Sequence, residues 1–188
     1  DCKKALEEAN GDFETAIEVL RKKGQKVAAK RSDRDAAEGL VLAKTNADGT
    51  RGALIVLNCE TDFVAKNESF GTFANTILDI AVNDNPSGLD ALKGMKFTGS
   101  DLSIEDRITE EIGKIGEKID LSAFEVVSGG KVVAYNHPGN KLASMVGFNI
   151  ATNDDVARDV AMQVAAMAPV AVSADEIPAT LIAKEKEI

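Results

Sequence analysis

The side chains that could carry chemistry are few in kind. One histidine (His137), two cysteines (Cys2 and Cys59) and 31 carboxylates stand in 188 residues. A histidine-based catalytic triad or metal cluster needs more than one imidazole can supply. Neither cysteine has a spacing to His137 that pairs a nucleophile with a base, and both read as small buried hydrophobes. No GxxxxGK[ST] loop is present and no GxGxxG follows a strand, so nucleotide binding by those devices is not expected. Ser-Gly-Gly-Lys at 128–131 lacks the rest of a phosphate loop and reads as a hairpin turn. The acidic residues are not ordered as a calcium loop. The sequence therefore points away from an enzyme, with no cofactor or metal expected, and toward a binding protein.

One stretch stands out for that role. Asn58-Cys-Glu-Thr-Asp-Phe-Val-Ala-Lys-Asn-Glu-Ser-Phe70 joins a strand to a helix and puts the ring of Phe63 at the corner, in a chain only 4% aromatic. Two readings are open. If the helix begins at Thr61, a legitimate N-cap, Phe63 lies seven residues before Phe70 on the same stripe and belongs to the core. If it begins at Asn67, followed by an acidic first turn, Asp62-Phe63-Val64-Ala65 becomes a projecting loop. Spacing alone does not separate them.

Net charge is −9 and the pI about 4.7, which argues against nucleic acid or an anionic membrane as the main partner. No apolar run approaches the roughly 18 residues of a membrane span. Two cysteines are too few for a disulfide framework, and a cytoplasmic setting is the simple reading. Residues 1–34 hold nine Lys/Arg against seven Asp/Glu, and the rest thirteen against twenty-four. The cluster Arg21, Lys22, Lys23, Lys26, Lys30, Arg31 and Arg34 has no aromatic interleaved to stack on bases, so it reads as a solvated linker.

The elements that must position these residues follow from periodicity. Residues 1–9 and 12–23 form two short helices broken at Asn10-Gly11-Asp12, the second placing Phe13, Ala16, Ile17 and Leu20 on one face. Two such helices cannot bury that face alone, and a third is expected upstream. "EGLVLAKT" and "GALIVLNC" form a hairpin around Asn46–Gly49, the second strand apolar enough to be covered on both sides. A helix with Phe70, Phe73, Ile77 and Ile80 follows and stops near Asn83–Pro86. Another aligns Ile104, Ile108, Ile112, Ile115 and Ile119, and close approach of another backbone would explain its Gly113 and Gly116. "FEVV", "KVVAYNH" and "KLASMVGFNI" predict a three-stranded meander, then a helix from about Asp154 that aligns Val156, Val160, Val164 and Met167 on one face and ends before Pro169. Ser173 and Glu176 suggest one more helical start, which Pro178 interrupts. The expected class is α+β: a small helical head (1–24), a basic linker (25–35), and two subdomains of antiparallel strands packed against helices, 36–120 and an incomplete 121–188.

Several segments carry a resemblance. "CETDFVAKNESF" closely resembles the signature of the elongation factor Ts family, the guanine-nucleotide exchange factors of elongation factor Tu. "DCKKALEEANGDFETAIEVLRKKG" is similar to that family's ubiquitin-associated-like head without its first helix. "KIGEKI" and "AYNHPGNKLASMV" match its core, and "VAMQVAAMAPVAVSADEIP" its later helix-Pro segment, with Gln163 where many relatives have histidine. The resemblance spans nearly the whole chain, with its motifs in the family's order. It implies a binding role at the corner: Asp62 and Phe63 insert between two helices of the partner's nucleotide domain, disturb its Mg²⁺ site and phosphate loop, and promote GDP release, with Thr61, Val64 and Ala65 shaping the loop. It also implies that the head touches the same domain and that His137 is presented to the partner. Elongation factor Tu is thus the implied partner, without direct nucleic-acid or membrane contact and with a homodimer admitted. The alternative, resting on the head alone, is a ubiquitin-like or nascent-chain-associated binding module.

Overall fold

A computed structural model describes residues 2–187. The chain opens with α1 (Cys2–Glu8) and α2 (Phe13–Arg31), followed by β1 (Glu38–Thr45) and β2 (Arg51–Cys59). A one-turn helix α3 (Asp62–Ala65) leads into α4 (Glu68–Asn83), α5 (Leu89–Gly94) and α6 (Ile104–Ile115). Then come β3 (Ile119–Ser128), β4 (Lys131–Asn136), β5 (Ala143–Phe148), α7 (Asp154–Met167), a 3₁₀ turn (Ala174–Glu176) and α8 (Ala179–Lys186). Helices and antiparallel strands are mixed, as an α+β chain requires.

The hairpin of β1 and β2 forms with Leu40 opposite Leu57 and Leu42 opposite Ile55. The expected three-stranded meander does not. β3 pairs with β2, from Cys59 opposite Ile119 to Arg51 opposite Ser128, giving an antiparallel sheet of order β1-β2-β3, while β4 and β5 form a separate two-stranded sheet. Gly129 and Gly130 accordingly lie at the crossing between the sheets and not in a hairpin turn, where a Cβ would come within 2.8 Å of the Phe148 carbonyl oxygen and 2.9 Å of the Asn149 carbonyl oxygen, respectively. A strand flanked on both sides buries its side chains on alternate faces under separate layers. Ala53, Ile55, Leu57 and Cys59 of β2 are fully buried on one face, and on the other a Cβ at Gly52 would strike Met145 and Val132 of the second sheet.

The main core gathers those β2 residues with Phe70, Phe73, Ile77 and Leu78 of α4, Leu92 of α5, Ile104, Ile108 and Ile112 of α6, and Leu121 of β3. Phe97 stacks on Phe73 at 5.2 Å between ring centres, and Arg107 lies over the Phe97 ring, 5.3 Å from its centroid. The isoleucine stripe holds through Ile112, but the helix ends at Ile115 and Ile119 opens β3. Gly116 is the reason: it takes φ 79° as the left-handed C-cap.

Gly113 serves differently. A Cβ there would lie 2.8 Å from the Cα of Gly24, so α2 and α6 cross backbone to backbone. This contact also corrects the expected linker. α2 does not stop at residue 23 but continues to Arg31, because Gly24 packs on α6 and Val27 and Ala28 pack on the main core. The basic residues of 25–35 therefore fall partly on a packed helix, and Arg31 is paired with Glu60. The face expected on α2 is only partly buried: Ala16 packs with Ala5 and Ala9, while Phe13 is 71% exposed.

α7 departs from its expected face as well. Ala157 and Ala161 are its buried residues, while Val156, Val160 and Met167 face outward. Small residues let the helix approach closely enough for Ser144 Oγ to donate to the Ala161 carbonyl at 2.6 Å, a contact that larger Val side chains would hold apart. The helical start at Ser173 is the 3₁₀ turn Ala174–Glu176, which stops before Pro178 as expected; Pro178 then takes the N-cap position of α8, where a proline surrenders no intrahelical bond. Ser173 makes no side-chain cap.

Candidate functional site: the β2–α4 corner

Both helix starts seen in the sequence are used. Thr61 (φ −126°, ψ 152°) N-caps α3, and two residues beyond α3 Asn67 N-caps α4, its side chain accepting from Ser69 N–H at 2.9 Å. The chain thus makes one short turn before committing to α4. A four-residue helix has no stability of its own, because nucleation costs more than one turn returns. α3 is held by what its residues touch. Ala65 is buried and Val64 packs on the main core, and the Lys66 amide closes the turn on the Asp62 carbonyl at 3.0 Å. With those two positions turned inward, the helical rotation turns position 63 outward: the Phe63 ring is 83% exposed. Phe70, seven residues on, is 2% exposed, so the two rings do not share a stripe.

Beside the ring, Asp62 accepts from Lys66 Nζ at 2.7 Å. That hydrogen bond, reinforced by the Lys66 charge and more weakly by Lys141, holds the Asp62 carboxyl below its ordinary value, so it is an anion at neutral pH. An exposed aromatic and a fixed negative charge stand side by side on a turn whose other face is buried.

The brace behind the corner was not visible in the sequence. Where the β2–β3 ladder ends at Cys59 and Ile119, two glutamates cross between the strands. Glu60 accepts from the Lys118 amide at 2.6 Å, and Glu117 accepts from the Thr61 amide at 3.0 Å and the Thr61 hydroxyl at 2.7 Å. Arg31, in the last turn of α2, places Nη1 at 2.8 and 2.9 Å from both Glu60 oxygens. The Lys118 amide and Arg31 together hold Glu60 below its ordinary value. Lys118 Nζ in turn donates to the carbonyls of Ser32 and Arg34 just past α2. The one available signal was the pairing of "CET" with "GEK", each a glutamate next to a strand end, and spacing gives no clue that they cross.

His137 lies elsewhere, in the turn between β4 and β5, where its Nδ1 is 2.9 Å from the Tyr135 hydroxyl. It lines an open cavity of about 410 Å³ with Leu142, Asp159, Met162 and Gln163. Thr61 to Ala65 are therefore brought together on one corner, and His137 is on another element. The same β4–β5 turn carries Lys141, which is paired with Glu38 and close enough to act on Asp62. Cys59 is buried, and burial, with the charge of Glu117, pushes its thiol up to about 11. Cys2, expected inside, is exposed, because α1 buries Ala5 and Ala9 instead. Among the described residues no group of three or more His, Cys, Asp or Glu is arranged to hold a metal, and no helix is long and apolar enough to cross a membrane.

Fold and corner together define an α+β protein that displays a braced apolar turn beside a carboxylate. Comparison with known proteins places that architecture. The family model described as Elongation factor TS matches residues 60–188. Among curated proteins, the Elongation factor Ts of Amoebophilus asiaticus is 49% identical over 191 residues, covering all of this chain and 68% of that protein. The Elongation factor Ts of Porphyromonas gingivalis is also 49% identical, and that of Christiangramia forsetii 48%, with the same coverage. This chain belongs to the elongation factor Ts family and is a translation elongation factor.

Proposed function

We propose that the chain is a guanine-nucleotide exchange factor that binds elongation factor Tu and promotes GDP release, with Asp62 and Phe63 as the wedge. The observation that carries this reading is the 83% exposure of the Phe63 ring on a turn whose neighbours Val64 and Ala65 are packed inward. A large apolar ring held out by a buried scaffold is arranged to be buried by another molecule. The work is done by binding, and no bond is made or broken by this chain.

The physics sets what the wedge must do. A nucleotide in such a partner is held by phosphate-loop amides and Mg²⁺, so loosening either speeds its release. An exchange factor must bind the nucleotide-free partner more tightly than the loaded one, and the coupling is reciprocal. A thousandfold acceleration corresponds to about 4 kcal/mol of coupling, while burying one Phe yields roughly 1.5–3 kcal/mol. Phe63 supplies part, and the ionised Asp62, brought toward a site that holds phosphate by positive charge and amides, supplies more. The remainder falls to other surfaces: a ubiquitin-associated-like head in residues 1–24, the core of 36–188 behind a junction at 25–35, and His137 with its β4–β5 turn.

Stopped-flow release of fluorescent GDP from elongation factor Tu, with and without this chain, tests the reading. Release is expected to accelerate, and Phe63→Ala to remove most of the acceleration while the circular-dichroism melt is unchanged. No acceleration by the unsubstituted chain sinks it.

A further inference from the structure

Thr61 is fastened at every polar atom. Its amide and hydroxyl both donate to the Glu117 carboxylate, at 3.0 and 2.7 Å. Its carbonyl accepts from the Ala65 amide at 3.2 Å and from the Cys59 thiol at 3.2 Å. Its hydroxyl oxygen also caps α3, 3.5 Å from the Val64 amide. The hydroxyl thus joins the glutamate to the cap that the glutamate does not itself make. α3 is a single turn, and the only residues that separate it from the β2 ladder are Glu60 and Thr61. The rotation of that turn, and with it the direction of the Phe63 ring, is set at Thr61.

We propose that Glu117 is a positioning residue for nucleotide exchange: from the α6–β3 turn it clamps Thr61 and thereby fixes the orientation in which α3 presents Phe63. It never needs to touch the partner. Glu60 is its counterpart, running the other way across the same two segments to the Lys118 amide, and Arg31 joins that half of the clasp to the end of α2. The corner, the α6–β3 turn and the long head helix are thus tied at one point. The role rests on the wedge reading of Phe63, and the experiment separates the two.

The test compares Glu117→Ala, Glu117→Gln, Thr61→Val and Phe63→Ala in stimulated release of fluorescent GDP across a range of concentrations of this chain. A loosened wedge still docks but acts out of alignment. Glu117→Ala is therefore expected to lower the maximal rate roughly ten- to a hundredfold, the scale of small misplacements at an acting group, with much less change in the half-saturating concentration. Glu117→Gln should restore most of the rate, since its amide oxygen accepts from the Thr61 amide and its NH₂ donates to the Thr61 hydroxyl oxygen. Thr61→Val, which keeps the backbone bond and removes the cap, should fall between. Amide hydrogen exchange on the free proteins gives a readout without the partner: Ala65 and Lys66 should exchange faster in Glu117→Ala while the amides of α4 keep their protection. Slow release by Phe63→Ala alongside unchanged maximal rates for both Glu117→Ala and Thr61→Val overturns the positioning role alone. A Glu117→Gln variant as slow as Glu117→Ala overturns it too, because the charge and not the clamp would then matter. Unchanged release by Phe63→Ala overturns the wedge reading, and the role with it.

Discussion

The β2–α4 corner and α7 both turn large apolar side chains toward solvent, and they do so by opposite means. At the β2–α4 corner a single ring, Phe63, projects from one helical turn whose next two residues pack on the core and whose entry residue is held by a glutamate from another segment. On α7 four residues, Val156, Val160, Met162 and Met167, face outward along a fourteen-residue helix that docks through Ala157 and Ala161. Exposure is comparable in kind; what differs is the backing. The corner spends hydrogen bonds and core contacts on holding four residues still, whereas α7 exposes its large residues because its small ones pack better. Exposure of an apolar side chain is thus weak evidence of a role, and exposure on a braced turn is stronger evidence.

Substitutions can break or sharpen this contrast, and the largest effect is expected just behind the corner. Phe70→Ala removes a ring that is 2% exposed and should cost about 3–5 kcal/mol in denaturant unfolding. Phe63→Ala, the same change seven residues earlier, should leave the unfolding free energy within about 0.5 kcal/mol. Its effect belongs in stimulated GDP release, where losing roughly 1.5–3 kcal/mol of burial corresponds to a fall of about ten- to a hundredfold. If both variants melt early, the corner ring is part of the core after all.

Gly113→Ala comes next. The added methyl meets the Gly24 backbone at 2.8 Å, and forced separation of α2 from α6 should destabilise by about 1–3 kcal/mol. Gly116→Ala, with no atom within 4 Å of the new methyl, is strained only by its φ of 79°, about 1 kcal/mol. Reversal of that order would show that the helices do not cross so tightly.

The clasp also makes a pH prediction. The folded Glu60 carboxyl lies below its ordinary value of 4.5, so its contribution is present above about pH 4.5 and is lost as the pH falls through the folded value. Glu60→Gln should accordingly lose stability relative to the unsubstituted chain at neutral pH, the difference shrinking in acid; a constant difference from pH 7 to 3 would mean that the charge takes no part. The smallest effects belong to α7: Val156→Ala and Val160→Ala are each expected to shift stability by no more than about 0.5 kcal/mol, a value that an independent packing role would exceed. Thiol alkylation at pH 8 should modify exposed Cys2 and spare Cys59, which is buried with its thiol pushed to about 11.

Local pattern made much of this legible. The hairpin, α4 and the stripe of α6 could be read from alternation, from threefold and fourfold spacing and from caps, because one face of each is buried continuously. Where residues of two sizes compete for a face, pattern misled: α7 was expected to bury its valines and buries its alanines, since close approach favours the smaller side chain. β3 was expected beside β4, its neighbour in sequence, but pairs with β2, which pattern cannot reveal because any apolar strand fits either partner.

The corner divides along the same line. Its residue types, its two N-caps and its family signature are properties of the sequence, because caps and turns are short-range. Whether Phe63 points in or out was undetermined by spacing, since both helix starts were sound. Tertiary structure decided it by packing Val64 and Ala65 on the core and by bringing Glu117, 56 residues further along the chain, onto Thr61. The direction of a side chain on a single turn depends on what holds the turn, and nothing within the turn is strong enough to do so.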